Sequence, residues 1–153
     1  MDNAVFREIA DEIKGLSNQA ARQIGQGRYD EAEAFYQRAL QITNNISYYG
    51  GTAMILFNLA NLETLRGDLL KAMTYAVLGK DMGEKAQTDT ASCDELLERL
   101  AKSAMKKGME HENNGELKEA LEYYYASVPF INEKYRQAMQ KEIEIIERLT
   151  AHE

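Results

Sequence analysis

Hydrophobic positions recur every three or four residues almost from end to end of this chain, the spacing of one face of an α-helix. Phe6, Ile9, Ile13, Leu16 and Ala20 form one such stripe and predict a helix from about Asn3 to Gly25–Gly27, weakened locally by Gly15. A second helix is expected from Tyr29 to about Ile46, with Ala32, Phe35, Tyr36, Ala39, Leu40 and Ile42 on a broad apolar face. Asn44-Asn45 and Gly50-Gly51 bracket a connection around residues 46–49. The third helix then runs from about Thr52 to Arg66 and carries Ile55, Leu56, Leu59, Leu62 and Leu65, and the fourth runs from Asp68 to about Lys85. After a polar connection at residues 87–91, Ser92-Cys93-Asp94-Glu95 has the form of a capping box, with Ser92 as the cap and Glu95 reaching back. The fifth helix extends to Asn113, where Asn113-Asn114-Gly115 is a stop signal. The sixth runs from Glu116 towards Ser127, and Pro129 marks a kink or a new first turn. A last helix, at about residues 132–150, presents Tyr135, Ala138, Met139, Ile143, Ile146 and Leu149. The fold class is therefore all-α, with about seven helices.

The turns repeat as well as the helices. Gly27-Arg28-Tyr29-Asp30-Glu31-Ala32 returns as Gly67-Asp68-Leu69-Leu70-Lys71-Ala72 and as Gly115-Glu116-Leu117-Lys118-Glu119-Ala120. Counted from each turn glycine, small residues share a register. Ala20, Ala60 and Gly108 stand seven before it, Ala32, Ala72 and Ala120 five after it, and Ala39, Gly79 and Ser127 twelve after it. Small residues on facing helices let the axes approach, and larger neighbours such as Tyr29, Leu69 and Leu117 fill the space beside them. This alternation around a glycine turn resembles the tetratricopeptide repeat, most closely over residues 27–42. The resemblance implies an antiparallel helix-pair superhelix in a single domain, residues 1–153. Its repeats would lie at about 13–46, 53–86 and 101–134, closed by a C-terminal capping helix. Two features depart from the family pattern. The turn glycines, at 27, 67 and 115, stand 40 and 48 residues apart, where the family interval is about 34. The position four before the turn, aromatic in the family, is Gln23, Glu63 and His111.

Composition narrows the function. Hydrophobic residues make up 44% of the chain and charged residues 28%, with one proline, as in an ordinary folded protein. A net charge of −7 repels phosphate backbones and argues against nucleic-acid binding. No apolar run approaches the roughly 20 residues that span a bilayer. The N-terminus is charged from the start and lacks a signal-peptide apolar core, and Cys93 has no second cysteine to pair with, all of which fits a reducing cytoplasm.

Catalytic chemistry has no constellation to stand on. His111 and His152 lack a nucleophile or second ligand at helical spacing, and Glu110-His111-Glu112 point to different helix faces. Cys93 falls in the first turn of a helix without a histidine partner. There is no glycine-rich phosphate loop, CxxC pair or nucleophile elbow. The expectation is no enzyme, no cofactor and no metal.

In a tetratricopeptide array the first helix of each repeat lines a concave groove. The resemblance places Ser17 and Asn18 there from the first repeat. Met54, Phe57, Asn58 and Asn61 follow from the second, and Lys102, Met105, Lys106 and Met109 from the third. Phe57 and the methionines would form an adaptable apolar patch, and the asparagines would bond an extended backbone. Some family members hold a peptide's C-terminal carboxylate. Asn58, Lys102 and Lys106 match that clamp, whereas Ser17 and Ala21 replace its other two positions. The implied function is a non-enzymatic scaffold or adaptor that binds a peptide or helix of a partner protein. The alternatives are a small chaperone of secreted substrates, similar to those of type III secretion translocators, and a homo-oligomeric assembly module, a possible homodimer.

Overall fold

The computed structural model describes residues 2–151. Among these it contains seven α-helices: α1 (Asn3–Gly25), α2 (Tyr29–Asn45), α3 (Tyr49–Arg66), α4 (Leu69–Lys85), α5 (Ala91–Asn113), α6 (Leu117–Ser127) and α7 (Glu133–Thr150). A single 3₁₀ turn, Val128–Phe130, holds Pro129 between α6 and α7. The all-α expectation is borne out. The chain divides into two compact units, residues 1–93 and 94–153.

In the first unit α1 packs on α2, α2 on α3 and α3 on α4. Ile13, Leu16 and Ala20 of α1 meet Ala32, Tyr36 and Ala39 of α2 and Ile55, Leu56, Leu59 and Leu62 of α3 in one core. The shared small positions sit where backbones approach. Ala20, Ala32, Ala39, Ala60, Ala72 and Ala76 are fully buried, and a β-carbon on Gly79 would rest 3.4 Å from the Ala53 carbonyl oxygen on the neighbouring helix. In the second unit Ala104 and Gly108 of α5 are buried, as are Ala120, Leu121 and Tyr124 of α6 and Met139, Ile143 and Ile146 of α7. A β-carbon on Gly108 would fall 2.6 Å from the Tyr124 ring and 3.3 Å from the Ala120 carbonyl oxygen, so this α5–α6 crossing requires glycine.

All three glycine turns have the same geometry. Gly27, Gly67 and Gly115 adopt φ of +73°, +83° and +78°. The amide after each glycine bonds back to the carbonyl four residues before it: Arg28 to Gln23 at 2.8 Å, Asp68 to Glu63 at 3.0 Å and Glu116 to His111 at 2.9 Å. Each is a Schellman motif, which satisfies carbonyls at the end of the first helix and turns the chain into the second. The connections between pairs use the same device without glycine. Ser47 (φ +54°) and Gln87 (φ +59°) occupy the left-handed position, with Tyr48 bonding back to Thr43 and Thr88 to Gly83, both at 2.9 Å. A left-handed side chain is strained, so Ser47→Gly should stabilise the fold by about 0.5–1 kcal/mol after glycine's greater unfolded-state entropy is deducted. The expected readout is a higher urea midpoint at unchanged m-value; an unchanged or lower midpoint would show that the serine carries no strain.

Several expectations need correction. The third helix begins at Tyr49, not Thr52. Gly50 and Gly51 lie in its first turn, and Gly51 serves packing: a β-carbon there would fall 2.7 Å from the Tyr48 ring and 2.9 Å from the Thr43 methyl. The fifth helix begins at Ala91, whose amide donates to the Asp89 carboxylate at 2.9 Å, so Ser92 is a first-turn residue and not the cap. Phe6, Tyr135 and Leu149, expected on buried stripes, are exposed. For Phe6 and Leu149 the reason is length. With 23 residues α1 outruns the 17 of α2, and with 18 residues α7 outruns the 11 of α6, so the far ends of the longer helices overhang. Tyr135 stands instead in the first turn of α7, beside its junction with α6. Phe6 instead meets the Tyr48 ring edge-on, with centroids 5.3 Å apart.

The position four before the turn explains its own departure from the family pattern in α3. The Glu63 side chain is 2% exposed and meets Arg66 at 3.3 Å and Lys71 at 3.5 Å. Arg66 also reaches Glu33 and Asp30 of α2, both at 2.8 Å. An ion network therefore replaces an aromatic side chain and ties α2, α3 and α4 together. In α5, His111 stacks on Tyr123 with centroids 5.3 Å apart and lies 3.5 Å from Glu116.

Candidate functional site

Each unit has an open cleft between first-of-pair helices, or between such a helix and α7. In the first unit a cleft of about 370 Å³ lies between α1 and α3, lined by Ala10, Ile13, Lys14, Ser17, Asn18, Tyr48, Met54 and Asn58. Helical spacing puts Lys14, Ser17 and Asn18 on one face of α1, and Met54 and Asn58, four apart, on one face of α3. Four residues expected in the groove therefore share one cleft. Ser17 Oγ is buried without a protein hydrogen-bond partner, while Met54 is 50% exposed. The cleft thus offers hydroxyl and amide groups beside an exposed, polarizable apolar side chain. Lys14 and Tyr48 complete its wall.

Phe57 points elsewhere. It lines a smaller cleft of about 220 Å³, with Gly50, Ala53, Met54, Gly79, Gly83 and residues 88–93 other than Ala91. Cys93 is buried in that wall. Asn61 stands one turn beyond Asn58 on α3 and is half-buried.

In the second unit a cleft of about 420 Å³ lies between α5 and α7. Met105, Met109, Glu112 and Asn113 come from α5, Tyr124 from α6, and Tyr135, Ala138, Met139 and Glu142 from α7. Two expected residues, Met105 and Met109, are here. Lys102 and Lys106 are exposed on α5, and Lys102 lies 3.7 Å from Glu98, one turn back. Tyr135 was expected only on the apolar face of the last helix and Glu112 only beside His111, and neither they nor Glu142 were expected in a groove. The Tyr124 hydroxyl donates to Glu112 Oε1 at 2.7 Å. Burial, that bond and the charge of Glu112 raise the Tyr124 pKa above the ordinary tyrosine value.

Glu142 holds its proton to higher pH than an ordinary carboxyl, because its side chain hydrogen-bonds Glu112, is partly withdrawn from water and faces the Glu112 charge. The folded state therefore binds this proton more tightly than the unfolded chain. Its contribution to stability is present below the unfolded pKa and is lost as pH rises through the folded one. Glu142→Gln keeps an uncharged hydrogen-bonding group and removes the like-charge contact. It should raise the melting temperature at pH 7, with the gain closing below about pH 4, where the native carboxyl is also protonated. A gain that is the same at both pH values would contradict the pairing.

Among the described residues no group of three or more His, Cys, Asp or Glu could hold a metal ion. No helix of the described residues is long and apolar enough to cross a membrane. His152 lies outside the described residues.

Helix pairs joined by a common Schellman turn, with alanines in a common register, define a helical-repeat protein. The tetratricopeptide repeat family matches over residues 13–77. That segment runs from α1 into α4 and includes the first two glycine turns, and over it the chain is similar to the tetratricopeptide repeat family. The third pair, α5 and α6, lies outside the match and has the same turn geometry. No curated protein matches the chain.

Proposed function

We propose that this protein is a non-enzymatic scaffold or adaptor that works in the cytoplasm and binds an extended segment of a partner protein in the α1–α3 cleft. One observation carries this reading: Ser17, Asn18 and Asn58 face the same cleft as the half-exposed Met54. An extended chain presents a backbone amide and carbonyl at every residue, and it needs groups that both donate and accept, such as asparagine amides and a serine hydroxyl. Met54 supplies an anchor surface that adapts to the side chain it meets. Phe57 and Asn61 on α3, and separately Lys102 and Lys106 on α5, keep the repeat register of groove positions within their own units, and their use depends on the partner.

A random-peptide display selection against the full chain tests the reading. Selected peptides should bind at least ten-fold more weakly to Asn58→Ala and to Met54→Glu. Peptides that bind both variants undiminished would remove the cleft from the function.

A homo-oligomeric assembly is the second reading, favoured by the exposed apolar residues of α7. Tyr135, Ile145 and Leu149 are 53%, 49% and 59% exposed, apolar surface that a second copy would cover. Light scattering at high concentration decides it: a monomer rules out self-assembly through α7.

A further inference from the structure

We propose that the cleft between α5 and α7 is a docking site for a lysine or arginine side chain carried on a partner's polypeptide segment. This goes beyond the α1–α3 reading and concerns a separate cleft. Its walls suit the two parts of such a side chain. Met105, Met109 and Met139 offer flexible thioether surface to an alkyl stem. Glu112 and Glu142 place two carboxyl groups in the same cleft, and the Tyr124 hydroxyl bond at 2.7 Å fixes the orientation of the Glu112 group.

The charge accounting points outward. Elsewhere in this chain a withdrawn glutamate has its cations built in: Glu63 meets both Arg66 and Lys71. None of the residues lining the α5–α7 cleft is basic. The nearby Lys134 stands 5.7 Å from the Tyr135 ring centroid and is not part of the wall. Two carboxyls facing each other in a cleft whose lining holds no basic residue repel when both ionise, and an incoming ammonium or guanidinium relieves that repulsion. Arginine gains further from its planar fork, which can bridge two carboxylates. An acidic or purely apolar segment would leave the pair unmatched, so the cleft selects by charge as well as by fit.

The test uses the full chain with carbon-13-labelled methionine methyls. Two probes are titrated: acetyl-Ala-Leu-Arg-Leu-Ala-amide and the same peptide with citrulline, the uncharged isostere, in place of arginine. The arginine peptide should shift the methyls of Met105, Met109 and Met139 in a saturable way. The citrulline peptide should bind at least five-fold more weakly, and so should the arginine peptide to the Glu112→Gln, Glu142→Gln chain. The Met54 methyl reports the α1–α3 cleft separately, so failure at one cleft is distinguishable from failure at the other. Unshifted Met105, Met109 and Met139 would overturn the proposal, as would equal binding of the citrulline peptide. Should the doubly substituted chain lose its fold, the comparison of the two peptides on the native chain still decides.

Discussion

Arg66→Ala should lower the unfolding free energy by about 3 kcal/mol, a large loss for a side chain that is not in the apolar core. The Arg66 guanidinium contacts three carboxylates, on Asp30, Glu33 and Glu63, at 2.8, 2.8 and 3.3 Å. Asp30 is almost fully solvated and contributes little to the loss. Glu63 decides the outcome, because its side chain is 2% exposed and would keep only Lys71 as a cation. Partial burial works against the Lys71 ammonium, but the Glu63 and Glu33 carboxylates outweigh it and hold its pKa above the ordinary lysine value. One exposed ammonium at 3.5 Å does not replace a guanidinium that bridges two helices. Most of the loss is thus the penalty of a buried carboxylate with too little compensation. Adding Glu63→Leu to Arg66→Ala should recover most of it, since leucine, close to glutamate in size, removes the buried carboxylate that the first change leaves undercompensated. Urea titrations of both variants check this. A double variant as unstable as the single one would show that the network stabilises through packing and not through charge.

Gly108→Ala should cost about 2–3 kcal/mol, at the upper end of what overpacking by one methyl group does. The added carbon would sit 2.6 Å from the Tyr124 ring, and the Ala120 carbonyl oxygen at 3.3 Å leaves no retreat towards α6. Tyr124 itself cannot move freely, because it is buried and its hydroxyl is tied to Glu112. The loss should shrink when Gly108→Ala is combined with Tyr124→Leu, which clears the ring from the crossing. Thermal melts of the single and double variants give the coupling directly. Additive losses would mean that the two residues do not meet. In an exposed helix position the same change would stabilise by about 1 kcal/mol, so even the sign separates a crossing point from a tolerated helix glycine.

The helix pairs were legible because two local signals coincide, a period of 3.6 in the apolar residues and a glycine where φ must be positive. The misread boundaries come from residues that carry two meanings. Gly50-Gly51 has the composition of a turn, yet Gly51 is there because the Tyr48 ring and the Thr43 methyl leave no room for a side chain. Ser92 has the composition of a cap, yet Asp89 takes the first free amide. The overhanging ends of α1 and α7 were not legible at all, because the length of a helix relative to its partner is a tertiary property. The same division holds for the clefts. Ser17, Asn18, Met54 and Asn58 could be placed on one face from repeat register alone, and they line one cleft. Glu112 and Glu142 could not be singled out, because in a chain with 25 acidic residues a carboxylate on a helix looks like solvated surface. Tyr135 belongs to α7, beyond the reach of the repeat pattern.

The central claim is that a partner segment lies in the α1–α3 cleft. Amide chemical-shift mapping of the full chain with a display-selected peptide tests it most directly. The largest shifts are expected at Ser17, Asn18, Met54 and Asn58, with the exposed residues Gln37 and Arg38 of α2 and Leu78 of α4 unmoved. Shifts concentrated on those α2 and α4 residues, with the α1–α3 cleft silent, would contradict the claim.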